Sequence, residues 1–551
     1  MSEQPSHSGA ATETYDFVIV GAGSAGCVLA DRLSEDGRHR VLLLEAGPWD
    51  RSLWVHIPIG YAKTMFHTRL NWGFYTDPVP GLEQRPVYWP RGKVIGGSSS
   101  INGLIYVRGQ PEDFDEWAAL GNVGWSWSDV LPYFTKLENY HGAPSPTRGI
   151  HGPLHVTPIP ASVLCDAFID AAESVGIARN PDYNAERQEG AGYFQITAHR
   201  GLRCSAASAY LKHARRRANL VVHTNAYALR LSHSGRRVLG VVYRRGEEVL
   251  QVNAKREVLL AAGAINTPQI LQLSGIGPGD LLQRHGIPVV ADLPGVGANL
   301  QDHLQIRITY KASQPVTTND YLRTPLGMMR MGLQYVLRQT GPIALGINHA
   351  YIFARSDNTV SRPDIQFHFG TISSDVPGGA VHDFSGFTSS VCQLRPSSRG
   401  AVTISSADPM VYPSIQPNYL ETSEDREAML RGFNLARRVA QAPPLARYIA
   451  TELAPGPQAD TDERVLAFIR EKATTIFHPV GTCKMGVDEA AVVDPRLRVR
   501  GIEGLRVVDA SVMPSIISGN TNGPVIMIAE KAADMILEDA RMNTSVPGSR
   551  A

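Results

Sequence analysis

Apolar and polar positions near the start of the chain follow a strand–turn–helix–strand pattern. A short apolar run, Asp16–Val20, is typical of a buried strand. A glycine-rich turn and a helical pattern over Cys27–Leu33 follow, and a second apolar run, Val41–Leu44, ends at Glu45. This order predicts a βαβ unit whose first turn faces a ligand.

The rest of the chain shows two kinds of hydrophobic pattern. Alternation over Ala226–Val252 predicts antiparallel hairpins, and strand–helix patterns return in Glu257–Gly277 and near the C-terminus. The block of about 310–470 has no glycine fingerprint and places helices at Pro325–Arg338 and Ser423–Ala440 around short strands. We therefore expect a nucleotide-fold domain interrupted by a second domain with an antiparallel sheet.

Three helices follow from local signals. Glu112–Tyr140 is expected to be helical, with tryptophans as packing anchors. Pro268 is expected at the first position of the helix that follows the turn at Gly263, because proline needs no hydrogen bond there. For the same reason, Pro524 is expected to open an amphipathic helix over Val525–Asp539.

The turn after the first strand, residues 21–26, has the sequence GAGSAG and therefore the Gly-x-Gly-x-x-Gly pattern. Gly21 allows a tight turn, Gly23 leaves room for a pyrophosphate, and Gly26 lets the helix and strand pack closely. The N-terminus of the helix offers free N–H groups to the phosphates. Glu45 lies 22 residues beyond Gly23, where an acid binds ribose hydroxyls. These features predict a dinucleotide site.

Composition and charge exclude several classes of protein. The 551 residues carry a formal net charge of +1, which gives no reason to expect a nucleic-acid or anionic-membrane partner. No apolar run approaches the ~18 residues of a membrane-spanning helix. Five scattered cysteines without a Cys-x-x-Cys pair argue against a disulfide framework or a zinc site. The polar segment 1–14 is expected to be a disordered tail, and the protein to be cytoplasmic.

Candidate chemistry lies in three places. The glycine-rich stretch 90–103, PRGKVIGGSSSING, suits close approach to a flat or charged ligand, although a plain loop explains it equally well. His478 lies in a compact turn, and a neutral imidazole is a natural base for an alcohol proton. Asn522, just before a helix, could donate to the alkoxide. From the residues alone, an ordinary role for His478 remains the better-supported alternative.

Five motifs taken together resemble those of the glucose–methanol–choline (GMC) oxidoreductase family over residues 15–540. They are GAGSAG with LLLEAG, RGKVIGGSSSING, GAINTPQILQLSGIGP, PGVGANLQDH, and HPVGTCKMG with LRVVDASVMPSIISGNTNGP. The choline-dehydrogenase-like and alcohol dehydrogenase branch is the most similar. The resemblance implies an α/β FAD-binding domain, Rossmann-like and of the glutathione-reductase type, with an interleaved α+β substrate domain. The expected FAD domain is 15–159, 193–309 and 471–551, and the substrate domain is 160–192 and 310–470.

The resemblance also implies a cofactor site and a mechanism. FAD-binding residues would be Gly21, Gly23, Ser24, Ala25, Gly26, Glu45, Val94, Gly97, Ser99, Asn102, Val222, Asp509 and Ala510. His478 would accept the alcohol proton, Asn522 would hold the oxygen, and a hydride would pass to flavin N5. Ile101 stands where some members carry a histidine bound to FAD, so we expect non-covalent FAD.

Several alternatives stay open within this resemblance. The electrons would go to a quinone or another non-nicotinamide acceptor, or to oxygen, which would make the protein an oxidase. The alcohol is not identified, and no cage for the trimethylammonium group of choline can be placed. His349, Phe367 and His368 could line the pocket, but ordinary core or surface roles are more common. No metal or nucleic acid is expected, and peripheral contact with the inner membrane is compatible with a cytoplasmic enzyme. A flavoprotein without redox turnover is the weakest alternative.

Overall fold

Two seven-stranded sheets organise the protein in a computed structural model that describes residues 13–376 and 378–545. The first sheet combines parallel strands with antiparallel hairpins. Its strands lie in the order Leu220–His223, Val41–Leu44, Thr14–Val20, Glu248–Leu260, Arg237–Arg245 and Ala226–Ser234, with Leu505–Val507 beside the end of Glu248–Leu260. The predicted βαβ start and the predicted hairpins are both present.

The first helix, Ser24–Ser34, packs on this sheet through its glycine. A Cβ added to Gly26 would lie 1.8 Å from the carbonyl oxygen of Gly21, so no larger side chain fits. Gly21 itself has φ +98°, a left-handed conformation that glycine adopts without strain. The geometric roles expected for Gly21 and Gly26 therefore agree with the fold.

The second sheet is entirely antiparallel. Its strands lie in the order Ile449–Ala454, Leu304–Ala312, Gly386–Gln393, Ile365–Gly370, Asn348–Ala354 and Gly190–Tyr193, with Thr474–Thr475 also beside Leu304–Ala312. Helices Val163–Ser174 and Ser423–Gln441 cover one face, against an apolar core that includes Ile306, Phe367 and Val391. The expected fold class, a nucleotide fold joined to an antiparallel-sheet domain, is confirmed.

The longer helices differ from expectation mainly at their ends. The segment expected to be helical over Glu112–Tyr140 forms two helices and a short strand, because capping boxes begin a helix at Pro111 and another at Trp127. The longer helices are Ser24–Ser34, Pro111–Ala119, Trp127–Leu137, Val163–Ser174, Gly263–Leu273, Pro325–Arg338, Ser423–Gln441, Asp462–Lys472 and Asn522–Ser545. Among the described residues, no helix is long and apolar enough to cross a membrane.

Pro268 lies inside its helix and not at the first position, which corrects the expectation. The helix begins at Gly263, so proline leaves the carbonyl of Ala264 without its usual N–H donor. The hydroxyl of Thr482 donates to that carbonyl at 2.7 Å. A distant side chain thus supplies the missing donor, and sequence-local rules could not have found it.

Two boundaries in the structure differ from the expected ones. Strand Leu304–Ala312 lies wholly in the second sheet, six residues earlier than the predicted division at 309/310, and Thr474–Thr475 also pairs with it. The predicted disordered tail, 1–14, lies outside the described residues up to residue 12. Thr14 begins the first strand because it pairs with Asn253.

Candidate active site

A continuous cavity of about 920 Å³ lies between the two sheets. Its wall runs from the glycine turn at Gly21 and Glu45 to His478 and Asn520 at the other end. This volume is near the upper end of the range for ligand pockets. The expected residues that line it are Gly21, Gly23, Ser24, Ala25, Glu45, Gly97, Asn102, His478, Asp509, Ala510 and Asn522.

Four of the expected FAD-binding residues do not line the cavity: Gly26, Val94, Ser99 and Val222. Gly26 serves helix packing, and Ser99 accepts a hydrogen bond from the backbone N–H of Ala206 at 3.0 Å. Val222 is a strand residue paired with Leu43, while Ala226, Tyr227 and Ala228 form the adjacent cavity wall.

The two carboxylates on the wall are held by the protein's own backbone. Glu45 accepts hydrogen bonds from the N–H groups of Ala22 at 2.9 Å and Gly47 at 2.8 Å. Burial raises the pKa of the Glu45 carboxyl to about 7. Asp509 accepts from Gly263 N at 2.8 Å and the Thr267 hydroxyl at 2.6 Å, so it fixes the start of that helix. Glu45 therefore binds the glycine turn, and Asp509 binds the start of the Gly263 helix.

The second glycine-rich stretch is fixed against the first. A Cβ on Gly97 would lie 2.6 Å from Gly23 Cα, so the two loops touch through glycines. Asn102 Oδ1 accepts from the buried Arg203 guanidinium at 2.6 Å, and Ile101 lines the cavity. The position of residues 90–103 on the cavity wall therefore agrees with the hypothesis that this stretch contacts a ligand.

His478 is positioned through its backbone. Asp302 accepts from the backbone N–H of His478 at 2.6 Å, and it is buried with hydrogen bonds from Tyr419 and Thr475. Arg91 donates to the carbonyl of Phe477 at 2.6 Å. Burial lowers the pKa of Arg91 to about 10, which leaves it cationic near pH 7. The turn is thus held by a buried acid on one side and a half-buried cation on the other.

A chain of hydrogen bonds fixes the tautomer of His478. The carbonyl of Leu394 can only accept, so His303 Nε2, 2.8 Å away, must carry a proton. In neutral His303, Nδ1 is then a lone pair, and it accepts from His478 Nδ1–H across 3.0 Å. Neutral His478 therefore presents an unprotonated Nε2 to the cavity.

Burial keeps both rings neutral. It lowers the pKa of His303 to about 4. It is also the main reason why the pKa of His478 lies well below its usual value, with His303, His368 and Arg91 adding to the effect. A protonated imidazole in this place would be a buried cation near Arg91, and the neighbouring Asp302 carboxyl binds the backbone N–H of His478 and not its ring. The site can therefore accept a proton at Nε2 but does not hold one at rest.

The structure brings Asn520, not Asn522, into contact with His478. Asn520 Nδ2 lies 3.2 Å from His478 Nε2, and its Oδ1 accepts from Gln366 Nε2 at 3.2 Å. Asn522 lies in the same cavity wall but accepts from the Ser24 hydroxyl at 2.7 Å. Sequence reasoning missed Asn520 and His303, although both stand in quoted motifs, SGNTNGP and NLQDH.

Comparisons with known proteins agree with this geometry. The GMC oxidoreductase family models match residues 15–305 and 396–529. The chain belongs to the GMC oxidoreductase family. The expected enzyme class, an FAD-dependent oxidoreductase that acts on the CH–OH group of alcohols, is confirmed.

Relatives of this GMC oxidoreductase match over nearly the whole chain. An alcohol dehydrogenase [acceptor] of Pseudomonas putida is 42% identical over 540 residues, 96% of each chain. An oxygen-dependent choline dehydrogenase of Photobacterium profundum is 42% identical over 540 residues, 97% of this chain and 94% of its own. Formate oxidase of Aspergillus oryzae, solved in a study of FAD modification, is 27% identical with a TM-score of 0.90, covering 97% of this chain and all of its own.

FAD fits the residues of this GMC oxidoreductase cavity. The two loops meet at Gly23 and Gly97, where a Cβ on Gly97 would intrude, so their backbones come close together, and both glycines line the cavity. The starts of the helices Ser24–Ser34 and Asn522–Ser545 both reach the wall and offer unpaired N–H groups to negative charge. Ile101 offers no nucleophilic atom for a covalent bond.

A side chain that pushes the two glycine-rich loops apart should weaken FAD binding. Gly97→Ala places a Cβ against the Gly23 backbone, and we expect about tenfold or greater loss of affinity, since 1.4 kcal/mol already gives tenfold. Flavin released by acid from the purified protein, per chain, measures it. Gly235→Ala is the matched control, because its φ of +55° resembles the +53° of Gly97 and its Cβ meets nothing within 4 Å. Equal flavin in both variants would contradict the assignment, and flavin retained in the acid precipitate would contradict non-covalent binding.

Proposed function

We propose that this GMC oxidoreductase oxidises an alcohol with His478 as the sole base. The observation that supports it is the ordered chain from Leu394 through His303, which leaves a lone pair on His478 Nε2 facing the cavity. An alcohol hydroxyl placed there would donate its proton to Nε2 as the carbon is oxidised. Bound FAD supplies the acceptor for the hydride.

The same geometry supports Asn520 as the group that steadies the alkoxide. Its Nδ2 already points at Nε2, so an alcohol oxygen near both would accept from the amide while it loses its proton. Gln366 fixes the amide orientation through the Oδ1 atom. We assign Asn522 a different role, holding the C-terminal helix against the glycine turn through Ser24.

Substitutions of the two asparagines should separate these roles. In anaerobic stopped-flow reduction of the flavin, His478→Ala should slow the reaction about 10²–10⁴-fold, the usual contribution of a general base. Asn520→Ala should slow it about 10²–10³-fold, the cost of losing one such donor. Asn522→Ala is the matched control and should leave the rate nearly unchanged. A larger effect at Asn522 than at Asn520 would reverse the assignment.

The pH profile follows from the depressed pKa of His478. The base works only while neutral, so flavin reduction should not vary with pH near neutrality and should fall only well below pH 6.5. His303→Ala should move the acidic limb to higher pH, since His303 is one cause of the depressed pKa. His349→Ala, at another buried histidine outside the cavity, should leave the limb in place. Equal shifts in both variants would contradict the proposal.

The substrate end of the cavity is formed by a polar face of the second sheet. Arg307, Ser390 and His368 are paired across three neighbouring strands, so their side chains lie on one face, and all three line the cavity. Arg307 makes one long hydrogen bond, to the Ser374 carbonyl at 3.4 Å, and no ion pair among the described residues. This face suits an alcohol with a second polar or anionic group.

Choline suits this cavity poorly. Of the carboxylates on the described cavity wall, Glu45 binds the backbone of the glycine turn and Asp509 binds the start of the Gly263 helix, and neither is hydrogen-bonded to His478. The Trp54 ring carries the Lys63 ammonium at 4.1 Å, and Trp72 carries Lys93 at 4.7 Å. Two aromatic faces that could hold a trimethylammonium group are therefore occupied by cations. We favour neutral or anionic alcohols over a cationic one.

A pair of isosteric alcohols tests this preference. We expect kcat/KM for neutral 3,3-dimethylbutan-1-ol to exceed that for choline by about tenfold or more, because Arg307 repels the trimethylammonium group and about 1.4 kcal/mol already gives tenfold. Arg307→Leu should reduce this ratio, whereas Arg330→Leu, an exposed arginine outside the cavity, should not. Choline as the better substrate of the unaltered enzyme would contradict the proposal.

For the electron acceptor, we propose a quinone dissolved in a membrane. Helix Pro325–Arg338 forms part of the cavity wall through Met328, Met331 and Tyr335, yet most of its apolar side chains face solvent. Its exposed apolar residues are Leu326, Met328, Met329, Leu333, Val336 and Leu337. Arg330 and Arg338 are also exposed, and the helix contains no acid. This combination is typical of a helix that lies in an anionic membrane interface.

Charge on the exposed face should abolish membrane binding without affecting catalysis. Leu333→Glu with Leu337→Glu should prevent flotation with vesicles containing phosphatidylglycerol and slow reduction of quinone in those vesicles. Reduction of a soluble dye should be unchanged, because neither leucine lines the cavity. Val123→Glu, at a position 83% exposed elsewhere, is the control. Equal flotation of both variants would contradict membrane docking, and so would concentration-dependent dimers that bury the helix. Reoxidation of the flavin by air faster than by quinone would favour an oxidase.

A further inference from the structure

Three histidines meet on the surface outside the active-site cavity. His141 directly follows the strand Glu138–Tyr140, His155 lies in the strand Leu154–Pro158, and His199 ends the strand Ala198–His199. None of them lines the cavity. They lie in or beside three separate strands, and the pairing of those strands brings them together.

Their nitrogens lie close enough to share one ion. One ring nitrogen of each histidine lies within 4.8 Å of the others, and His141 Nε2 is 2.8 Å from His155 Nδ1. In tetrahedral coordination with Zn–N near 2.05 Å, ligand nitrogens are about 3.3 Å apart. The three rings are stacked nearly parallel, with centroids 4.4–5.1 Å apart, so the rings must rotate about their side-chain bonds before all three nitrogens can bind one ion. We propose that His141, His155 and His199 bind a divalent transition-metal ion.

The backbone holds the three ligands in place. Asn139 and Tyr140, just before His141, pair with His155 and Val156 in neighbouring parallel strands. His141 N–H donates to the Val156 carbonyl at 2.9 Å. His199 pairs with Leu202 in a two-stranded hairpin, and the Thr157 hydroxyl donates to the Ala198 carbonyl at 2.7 Å. Ligands on paired strands keep their spacing better than ligands on free loops.

The imidazoles are in the form that binds metal. Burial lowers the pKa of each ring, and for His155 and His199 the neighbouring histidines and Arg200 lower it further. Protons therefore compete weakly near pH 7. Arg200 is the cation that opposes the ion, and the cluster contains no carboxylate to offset it. Imidazole ligands without carboxylate favour Zn²⁺, Cu²⁺ or Ni²⁺ over Mg²⁺ or Ca²⁺.

A bound ion would tie this surface to the cofactor loop. The hairpin that carries His199 continues to Arg203, which pairs with Ala198. Arg203 donates to Ser99 O at 3.2 Å and to Asn102 Oδ1 at 2.6 Å, in the loop that lines the FAD cavity. Because none of the three histidines lines the active-site cavity, we assign the ion a structural role and no chemistry, with water in the remaining coordination positions.

Zn²⁺ titration of the chelator-treated holoenzyme tests the site. Calorimetry and elemental analysis after dialysis should give one ion per chain, and the thermal midpoint should rise. His155→Ala and His199→Gln should weaken binding by at least the ~10- to 100-fold that loss of even an outer partner of a metal site brings. His213→Ala, at an exposed histidine on another element, should bind as the unaltered protein does. With Cu²⁺, the electron paramagnetic resonance spectrum should show hyperfine splitting from nitrogen ligands, and this splitting should be reduced in His155→Ala.

Several results would overturn the site. Zn²⁺ binding that is equal in His155→Ala, His199→Gln and His213→Ala would show adventitious binding only. Binding of one Mg²⁺ in competition with Zn²⁺ would exclude an imidazole site. Unchanged flavin content verifies that each variant is folded. If His155→Ala loses its flavin, the exposed His141→Gln replaces it, with the same expected loss of Zn²⁺ binding.

Discussion

The active site depends on one backbone carbonyl that cannot donate a hydrogen bond. Leu394 belongs to the segment just after the strand Gly386–Gln393, and its carbonyl fixes the proton of His303 on Nε2. The proton positions on His478 follow from that, provided both rings are neutral. Because desolvation makes a charged imidazole costly here, neutrality is maintained by burial and not by a carboxylate partner. The second sheet therefore sets the chemistry of a histidine that lies outside it.

The two sheets contribute different groups to the cavity that lies between them. The first sheet contributes glycine turns and helix N-termini, which suit phosphates and a dinucleotide. One face of the second sheet is apolar and packs on helices, and the other presents Arg307, His368 and Ser390 to the cavity. Alternation along the strands separates these two roles. The strand Leu304–Ala312, which begins just after His303, contributes to both faces: Ile306 lies in the core and Arg307 lines the cavity.

The sequence predicted what depends on local chemistry. The strand–turn–helix at GAGSAG, the hairpins and the bounds of helix Pro325–Arg338 were all predicted from short patterns, and the structure has them. Thr482 and Ala264 could not be paired, because their contact joins residues 218 apart in sequence. Asn520 and Asn522 are alike in sequence context and differ only in what they meet, His478 or Ser24. His303 lay in a recognised motif, but its role depends on the carbonyl of Leu394, ninety-one residues away in sequence.

The cations near the base have two opposed effects. Arg91 lowers the pKa of His478 and so weakens its proton affinity. The same positive potential stabilises an alkoxide, the anion that forms when the alcohol loses its proton. The net effect favours reaction only if the alkoxide lies closer to the cations and the Asn520 amide than the imidazolium does. Asn520 would contribute to this condition, because its amide lies 3.2 Å from the base nitrogen, where the proposal places the alcohol oxygen. In the proposed mechanism, proton transfer would therefore depend on stabilisation of the oxygen more than on the strength of the base.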